Sequence, residues 1–254
     1  MISTAAILTA RPGAMVVTSS TPLWYTTRAT GLVALVLLTL SMALGLASSL
    51  RFQSQEWPRF VTLGLHRNVS LLALAFTVIH VLTTVLDNFV AIPLQDAFVP
   101  FIGTYRPLWV GFGAIGFDLM LALIITSLLR VRMTLRAWRL VHWGSYLCWP
   151  VAVLHGLGTG TDTPVRWVLL LTAACVLPIV ALTVWRLAQA WPSRPVAAAA
   201  GIVMILATLI AGTAWLRSGP LAPHWSVRSG TKTAQAHKSA QAGQAANGTS
   251  STGQ

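Results

Sequence analysis

Long apolar stretches alternate with short polar segments along most of the chain. The apolar stretches cover residues 30–50, 62–87, 109–129, 140–158, 167–187 and 196–216. Each is close to the roughly 20 residues that a helix needs to cross a hydrocarbon core of about 30 Å. Because backbone polar groups must be satisfied within lipid, the pattern predicts an all-α fold, a polytopic membrane helix bundle of about six transmembrane helices.

The amino-acid composition excludes a soluble protein. Charged residues make up 9% of the chain, against roughly 25% in soluble globular proteins, and hydrophobic residues reach 55%. The net charge of +12 is spread between the apolar stretches and forms no single patch. We therefore expect an integral membrane protein in contact with lipid, and no nucleic-acid partner.

The arginines predict the orientation in the membrane. They concentrate in the odd-numbered loops, which hold Arg51, Arg59, Arg67, Arg130, Arg132, Arg136, Arg139, Arg186 and Arg194. Since basic residues favour the cytoplasmic side, these loops should be cytoplasmic and both termini should lie outside.

The two ends of the chain differ in character from its middle. Residues 1–23 lack the apolar core of a secretory signal and form an N-terminal extension, in which Met15 is a second candidate start. Residues 24–217 form the predicted six-helix domain. Residues 218–254 consist largely of small and polar residues and are expected to be a disordered low-complexity tail. His224 and His237 belong to this end of the chain, and we expect no function for them.

The other four histidines are the candidate functional residues. His66 and His80 lie on the second stretch, and His142 and His155 lie on the fourth. Ionisable residues inside membrane spans are rare and commonly functional. Both spans run from the inside to the outside, so His66 and His142 share the inner depth and His80 and His155 share the outer depth. We call these the inner pair and the outer pair.

Two imidazoles on facing helices can ligate one iron between them, so the pairs indicate bis-histidine haem b held between the second and fourth helices. At about 100° per residue, His66 and His80 share one helix face, whereas His142 and His155 differ by about 140°. A change of winding at Pro150, which lies between the latter two, would bring both rings toward the second helix. The alternative is that the histidines only form hydrogen bonds between helices, as in a transporter or a structural membrane protein.

The segments Leu65-His66-Arg67-Asn68, Val78-Ile79-His80, Val141-His142-Trp143 and Val153-Leu154-His155-Gly156 resemble the ferric reductase-like transmembrane domain family. The family includes the membrane domains of ferric reductases and NADPH oxidases and the haem-binding membrane subunit of the methionine sulfoxide reductase system. The resemblance covers about residues 24–216. It implies the four histidines as axial ligands, with two haems b expected and one possible, in a bacterial plasma membrane.

Members with their own dehydrogenase region carry flavin and NAD(P) sites, and we expect neither on this chain. The motif G-x-G-x-x-G occurs at Gly111, Gly113 and Gly116. It follows no predicted strand, so close packing of helices explains the glycines better than dinucleotide binding does. The electron donor would then be a separate flavodehydrogenase or a membrane quinol.

Three further residues are secondary candidates. Asp118 is a carboxylate well inside a span and is a candidate proton relay or hydrogen-bond partner of a ligating imidazole. Arg67 and Arg139 flank the inner histidines and are candidate contacts of haem propionates, or membrane anchors.

The sequence leaves two redox functions open. In the first, a ferric reductase-like oxidoreductase component carries electrons from a cytoplasmic-side donor to an extracytoplasmic acceptor. In the second, the chain is the quinol-oxidising haem membrane anchor subunit of a periplasmic reductase.

Overall fold

The computed structural model describes residues 22–50, 58–87, 92–160, 162–223 and 225. Within these residues the chain forms seven α-helices, joined in places by short 3₁₀ turns, and no strand. The helices are α1 (Pro22–Ser49), α2 (Arg59–Leu86), α3 (Pro107–Leu128), α4 (Leu135–His142), α5 (Ser145–Thr159), α6 (Arg166–Ala190) and α7 (Pro195–Ser218). The all-α prediction is confirmed.

Five of these helices, α1, α2, α3, α6 and α7, are long and apolar enough to cross a membrane. They coincide with five of the six predicted stretches, so the chain is an integral membrane protein with a polytopic helical fold. The fourth stretch differs. Most of it forms α5, which has 15 residues and is about 22 Å long at 1.5 Å per residue, whereas His142 ends the separate amphipathic helix α4.

The break between α4 and α5 falls at Trp143–Gly144 and not at Pro150. The Gly144 N–H bonds to the Val141 carbonyl over 2.8 Å, an i to i−3 bond that tightens the end of α4. Glycine has low helix propensity, which favours a break here. Pro150 lies inside α5, which continues through it. The interruption between His142 and His155 therefore lies at this earlier turn, and not at Pro150, where the sequence analysis considered a change of winding.

Helix α5 lies at the centre of the bundle. Its Trp149 packs in a buried cluster with Leu46 of α1 and Ile179 of α6, and its Cys148 packs with Phe117 of α3. The Trp149 indole N–H also donates to the Thr39 hydroxyl of α1 over 2.9 Å. Helix α2 packs chiefly along α1. The candidate histidines lie on α2, which carries His66 and His80, at the end of α4, which carries His142, and on α5, which carries His155.

Several predictions concern the ends of the chain. Residues 1–21, 224 and 226–254 lie outside the described residues. They include most of the N-terminal extension, His224, His237 and nearly all of the tail. The division into an extension, a six-helix domain and a tail stays a prediction.

Candidate functional site

The four histidines of α2, α4 and α5 form two pairs across helices. In the inner pair, the ring centroids of His66 and His142 are 6.3 Å apart and the ring planes make an angle of 74°. In the outer pair, the centroids of His80 and His155 are 6.2 Å apart and the planes make an angle of 82°. All four side chains are half-buried. The structure therefore brings together the same partners that the depth argument paired.

These separations fit a single metal ion between the two rings of each pair. A metal bound by an imidazole nitrogen at about 2.0 Å lies about 3.2 Å from the ring centroid, so two imidazoles on opposite sides of one iron have centroids about 6.4 Å apart. The observed 6.3 Å and 6.2 Å agree with this value. Directly hydrogen-bonded or stacked rings need not have this spacing.

In three of the histidines, the hydrogen bonds engage one ring nitrogen. The other ring nitrogen, which would bind iron, is left free. The Nδ1 atoms of His66, His80 and His155 lie 2.9, 2.8 and 2.8 Å from backbone carbonyl oxygens. A carbonyl oxygen only accepts, so each Nδ1 carries the proton and each Nε2 keeps its lone pair. Metal-ligating histidines typically donate their second N–H in this way, which fixes the tautomer and the ring orientation.

His142 is held differently. Its ring stacks on Trp138, one turn earlier in α4, with centroids 4.7 Å apart and planes at 22°. Its Nδ1 is buried and has no hydrogen-bond partner in the part of the chain that the structure describes. The inner pair is thus fixed by one hydrogen-bonded imidazole and one stacked imidazole.

The donor set fits an iron whose other ligands come from a macrocycle. No group of three or more His, Cys, Asp or Glu side chains within the described residues could hold a bare metal ion. A pair of imidazoles would supply only two ligands to a metal between them. This is the axial set of a six-coordinate haem, in which the porphyrin supplies the other four.

A cavity of about 520 Å³ adjoins the outer pair, within the range of about 300–1,000 Å³ typical of cofactor sites. His80 and His155 line it, with mostly apolar side chains around them. Asp96, in the 3₁₀ turn Leu94–Ala97, also lines it and is only 5% exposed. Burial raises the pKa of the Asp96 carboxyl, which favours its neutral form in this apolar cavity.

Arg28 is a cavity residue that the sequence analysis missed. It lies in α1, lines the outer cavity, forms an ion pair with Asp162, and places its guanidinium over the Trp24 ring at 4.0 Å. The predicted first apolar stretch begins at residue 30, so Arg28 lies just outside the predicted span. Because α1 begins earlier, at Pro22, the cation lies within the helix and faces the site.

The secondary candidates lie apart from the imidazoles. The side chains of Arg67 and Arg139 are exposed, and Arg139 lines a shallow surface hollow with Arg136, Leu140 and Trp143. Asp118 is half-buried in α3. Its carboxylate forms no hydrogen bond or ion pair among the described residues, and the structure does not bring it together with a histidine.

Gly111, Gly113 and Gly116 all lie inside α3, where no phosphate-binding turn forms. Gly111 and Gly113 each face a neighbouring side chain closely, whereas a Cβ on Gly116 would have its nearest atom 3.9 Å away. A Cβ built on Gly113 would lie 2.6 Å from the His155 ring, and the Gly116 carbonyl accepts the Cys148 thiol over 3.4 Å. Gly113 therefore allows close packing of α3 against α5, the role that the sequence analysis favoured for these glycines.

The family model described as "Ferric reductase like transmembrane component" matches residues 30–159, which is just over half of the chain. The match includes both histidine pairs and ends at the last residue of α5. It is narrower than the resemblance over residues 24–216, since it omits α6 and α7. No curated protein and no solved structure matches the chain.

Proposed function

Because the chain belongs to the family of ferric reductase-like transmembrane components, we propose that it is a transmembrane electron carrier that holds two haems b. The family supports an electron-transfer role in the membrane in general terms. The observation that carries the finer proposal is the centroid spacing of the two imidazole pairs. His66 and His142 are the ligands of the inner haem, and His80 and His155 are the ligands of the outer haem.

Each bound haem supplies a one-electron couple between ferric and ferrous iron. The protein contributes the position and the surroundings of that couple. The four imidazoles supply axial nitrogens, and the backbone carbonyls of α1 and α3 hold three of them in one tautomer. Along α2, His66 and His80 are 14 residues apart, which is about 21 Å of helix. The two sites therefore lie near opposite faces of the membrane.

Arginines are the proposed partners of the haem propionates. Arg67 and Arg139 lie on the helices that carry the inner pair, and Arg28 lines the outer cavity. Arginine binds carboxylates through two parallel hydrogen bonds. In this proposal Arg28 exchanges Asp162 for an outer propionate when haem is bound.

The proposed direction is from a donor on the cytoplasmic side, through the inner and outer sites, to an extracytoplasmic acceptor. The exposed arginines Arg136 and Arg139 suit an acidic donor protein such as a separate flavodehydrogenase, because opposite charge steers association. The alternative role, a quinol-oxidising membrane anchor subunit of a periplasmic reductase, is favoured by the apolar outer cavity and by Asp96 within it, which is placed to exchange a proton.

The haem content of the purified protein tests the proposal. A pyridine haemochrome assay should approach two haems b per chain, with a sharp reduced-minus-oxidised spectrum. A well-folded preparation from haem-supplied cells that contains no haem would contradict the proposal. The donor is then identified by adding either a quinol analogue or a flavodehydrogenase with its nicotinamide substrate. The donor that reduces the haems at a catalytic rate shows which of the two roles the protein has.

A further inference from the structure

Three of the four histidines share one local arrangement. In each, the Nδ1 atom donates to the backbone carbonyl of a neighbouring helix, and the residue four positions after that carbonyl is a glycine. The sets are His80 with Thr27 and Gly31, His66 with Ser41 and Gly45, and His155 with Trp109 and Gly113.

The glycines have a steric reason. In an α-helix the carbonyl of residue i points at the N–H of residue i+4, so the side chain at i+4 lies beside that oxygen. The protein itself shows this proximity, because the Thr39 and Thr172 hydroxyls donate to the carbonyls of Leu35 and Val168, four residues earlier. A second donor from another helix reaches such a carbonyl only if the side chain at i+4 leaves room.

The imidazoles occupy the space where a Cβ would be. A Cβ built on Gly113 would lie 2.6 Å from His155, which no real contact allows, and one built on Gly31 would lie 3.0 Å from His80. At Gly45 the nearest atom of His66 would be 3.5 Å away, which is an ordinary van der Waals contact. The steric demand is thus greatest at Gly113, smaller at Gly31 and least at Gly45.

The arrangement repeats along the antiparallel pair of α1 and α2. The acceptors Thr27 and Ser41 are 14 positions apart, as are Gly31 and Gly45, and as are His66 and His80. One register between the two helices therefore satisfies both hydrogen bonds. The α1–α2 half of each site is therefore a copy of one local unit, built at both depths.

We infer that Gly31 and Gly113 are positioning residues for the outer haem, because the missing Cβ of each lets a ligating imidazole donate its Nδ1–H to the helix carbonyl one turn earlier. Gly45 has the same role for His66 with more room to spare. The inference rests on the proposed function, since the imidazoles are its haem ligands. The hydrogen bond fixes the ring orientation and raises the basicity of Nε2, which stabilises ferric iron over ferrous iron.

The test compares alanine variants of the purified, haem-loaded protein. Gly113→Ala and Gly31→Ala should each weaken retention of one haem by about 10- to 100-fold. They should also raise its midpoint potential and alter its low-spin EPR signal, leaving the other haem unchanged. Gly113→Ala should have the larger effect, and Gly45→Ala should leave both haems close to wild type. The matched controls are Gly64→Ala in α2, with open space around it, and Gly116→Ala in α3, where the nearest atom would be 3.9 Å away.

A measurement on the wild-type protein tests the inference even if a variant fails to fold. Pulsed EPR of the oxidised protein in H₂O and D₂O should detect an exchangeable Nδ1 proton, hydrogen-bonded to a carbonyl, on both ligands of the outer haem. Absence of that proton on either ligand would overturn the inference.

The inference would also fail if Gly31→Ala and Gly113→Ala kept both haems with wild-type potentials and signals, or if the glycine controls produced the same changes. Failure of the proposed function is distinguishable from these outcomes, because the wild-type protein would then contain no haem to compare.

Discussion

The imidazole rings of His80 and His155 lie on different helices with their centroids 6.2 Å apart and their planes at 82°. The rings are nearly perpendicular because each is oriented by its own carbonyl, that of Thr27 in α1 or that of Trp109 in α3. The orientation of each imidazole is therefore set by a helix that carries none of the four histidines.

The near-perpendicular planes predict the EPR spectrum. Each imidazole interacts mainly with one of two iron d orbitals of π symmetry, so perpendicular rings leave these orbitals close in energy. We expect strongly anisotropic low-spin ferric signals for both haems, since the inner pair is also at 74°. Low-temperature EPR of the oxidised protein measures this directly. A rhombic spectrum typical of parallel imidazoles would contradict the observed ring orientations.

Substitution of single histidines tests the pairing. His66→Ala and His142→Ala should remove the same, inner haem, and His80→Ala and His155→Ala should remove the other, because each leaves one iron without an axial partner. Optical redox titration of each variant distinguishes the two species. Loss of a ligand from an apolar site can also destabilise the fold, so expression and thermal stability must be compared.

His224→Ala and His237→Ala are the controls for this series and should keep both haems, since neither histidine lies in a predicted span. If His66→Ala and His80→Ala abolish one common species while the other persists, the ligands are arranged along one helix and the pairing across helices is wrong.

Arg106 is expected to stabilise the outer end of α5, four residues beyond His155. Arg106 is 2% exposed, and its guanidinium donates to the carbonyls of Gly158 and Thr159 over 3.2 and 2.8 Å. Hydrogen bonds from a charged group contribute roughly 1.5–3 kcal/mol each, so Arg106→Ala should lower the free energy of unfolding by about 3 kcal/mol. Thermal loss of the haem absorbance measures the change. Arg166→Ala, at an exposed position, is the matched control, and an equal effect of both would contradict this role.

Reporter fusions test the orientation. The arginine distribution predicts that a fusion after Trp191 is cytoplasmic and a fusion at Gln254 is outside, since α7 lies between them. A reporter that is active only in the cytoplasm and one that is active only outside should give opposite results at the two sites. Equal results would mean that α7 does not cross the membrane, whereas a reversal at both sites would mean that the spans before it are miscounted, with the short α5 as the first candidate.

Hydrophobic periodicity and length determined most of the architecture. The predicted stretches match the five long helices because a helix that crosses lipid must be apolar over its whole length, and that property is local to the sequence. The depth of each histidine is local as well, since the rise per residue is constant. Counting along α2 and the fourth stretch was therefore enough to pair His66 with His142 and His80 with His155.

The tertiary structure alone decided how the imidazoles are held. The use of the Thr27, Ser41 and Trp109 carbonyls as acceptors and the close approach of His155 to Gly113 depend on the register between neighbouring helices. That register is fixed by packing around Trp149 and Cys148 of α5, between residues distant in sequence. A periodic pattern tells which depth a residue has, but the rotation of one helix against another is determined by side chains that interlock only after the bundle forms.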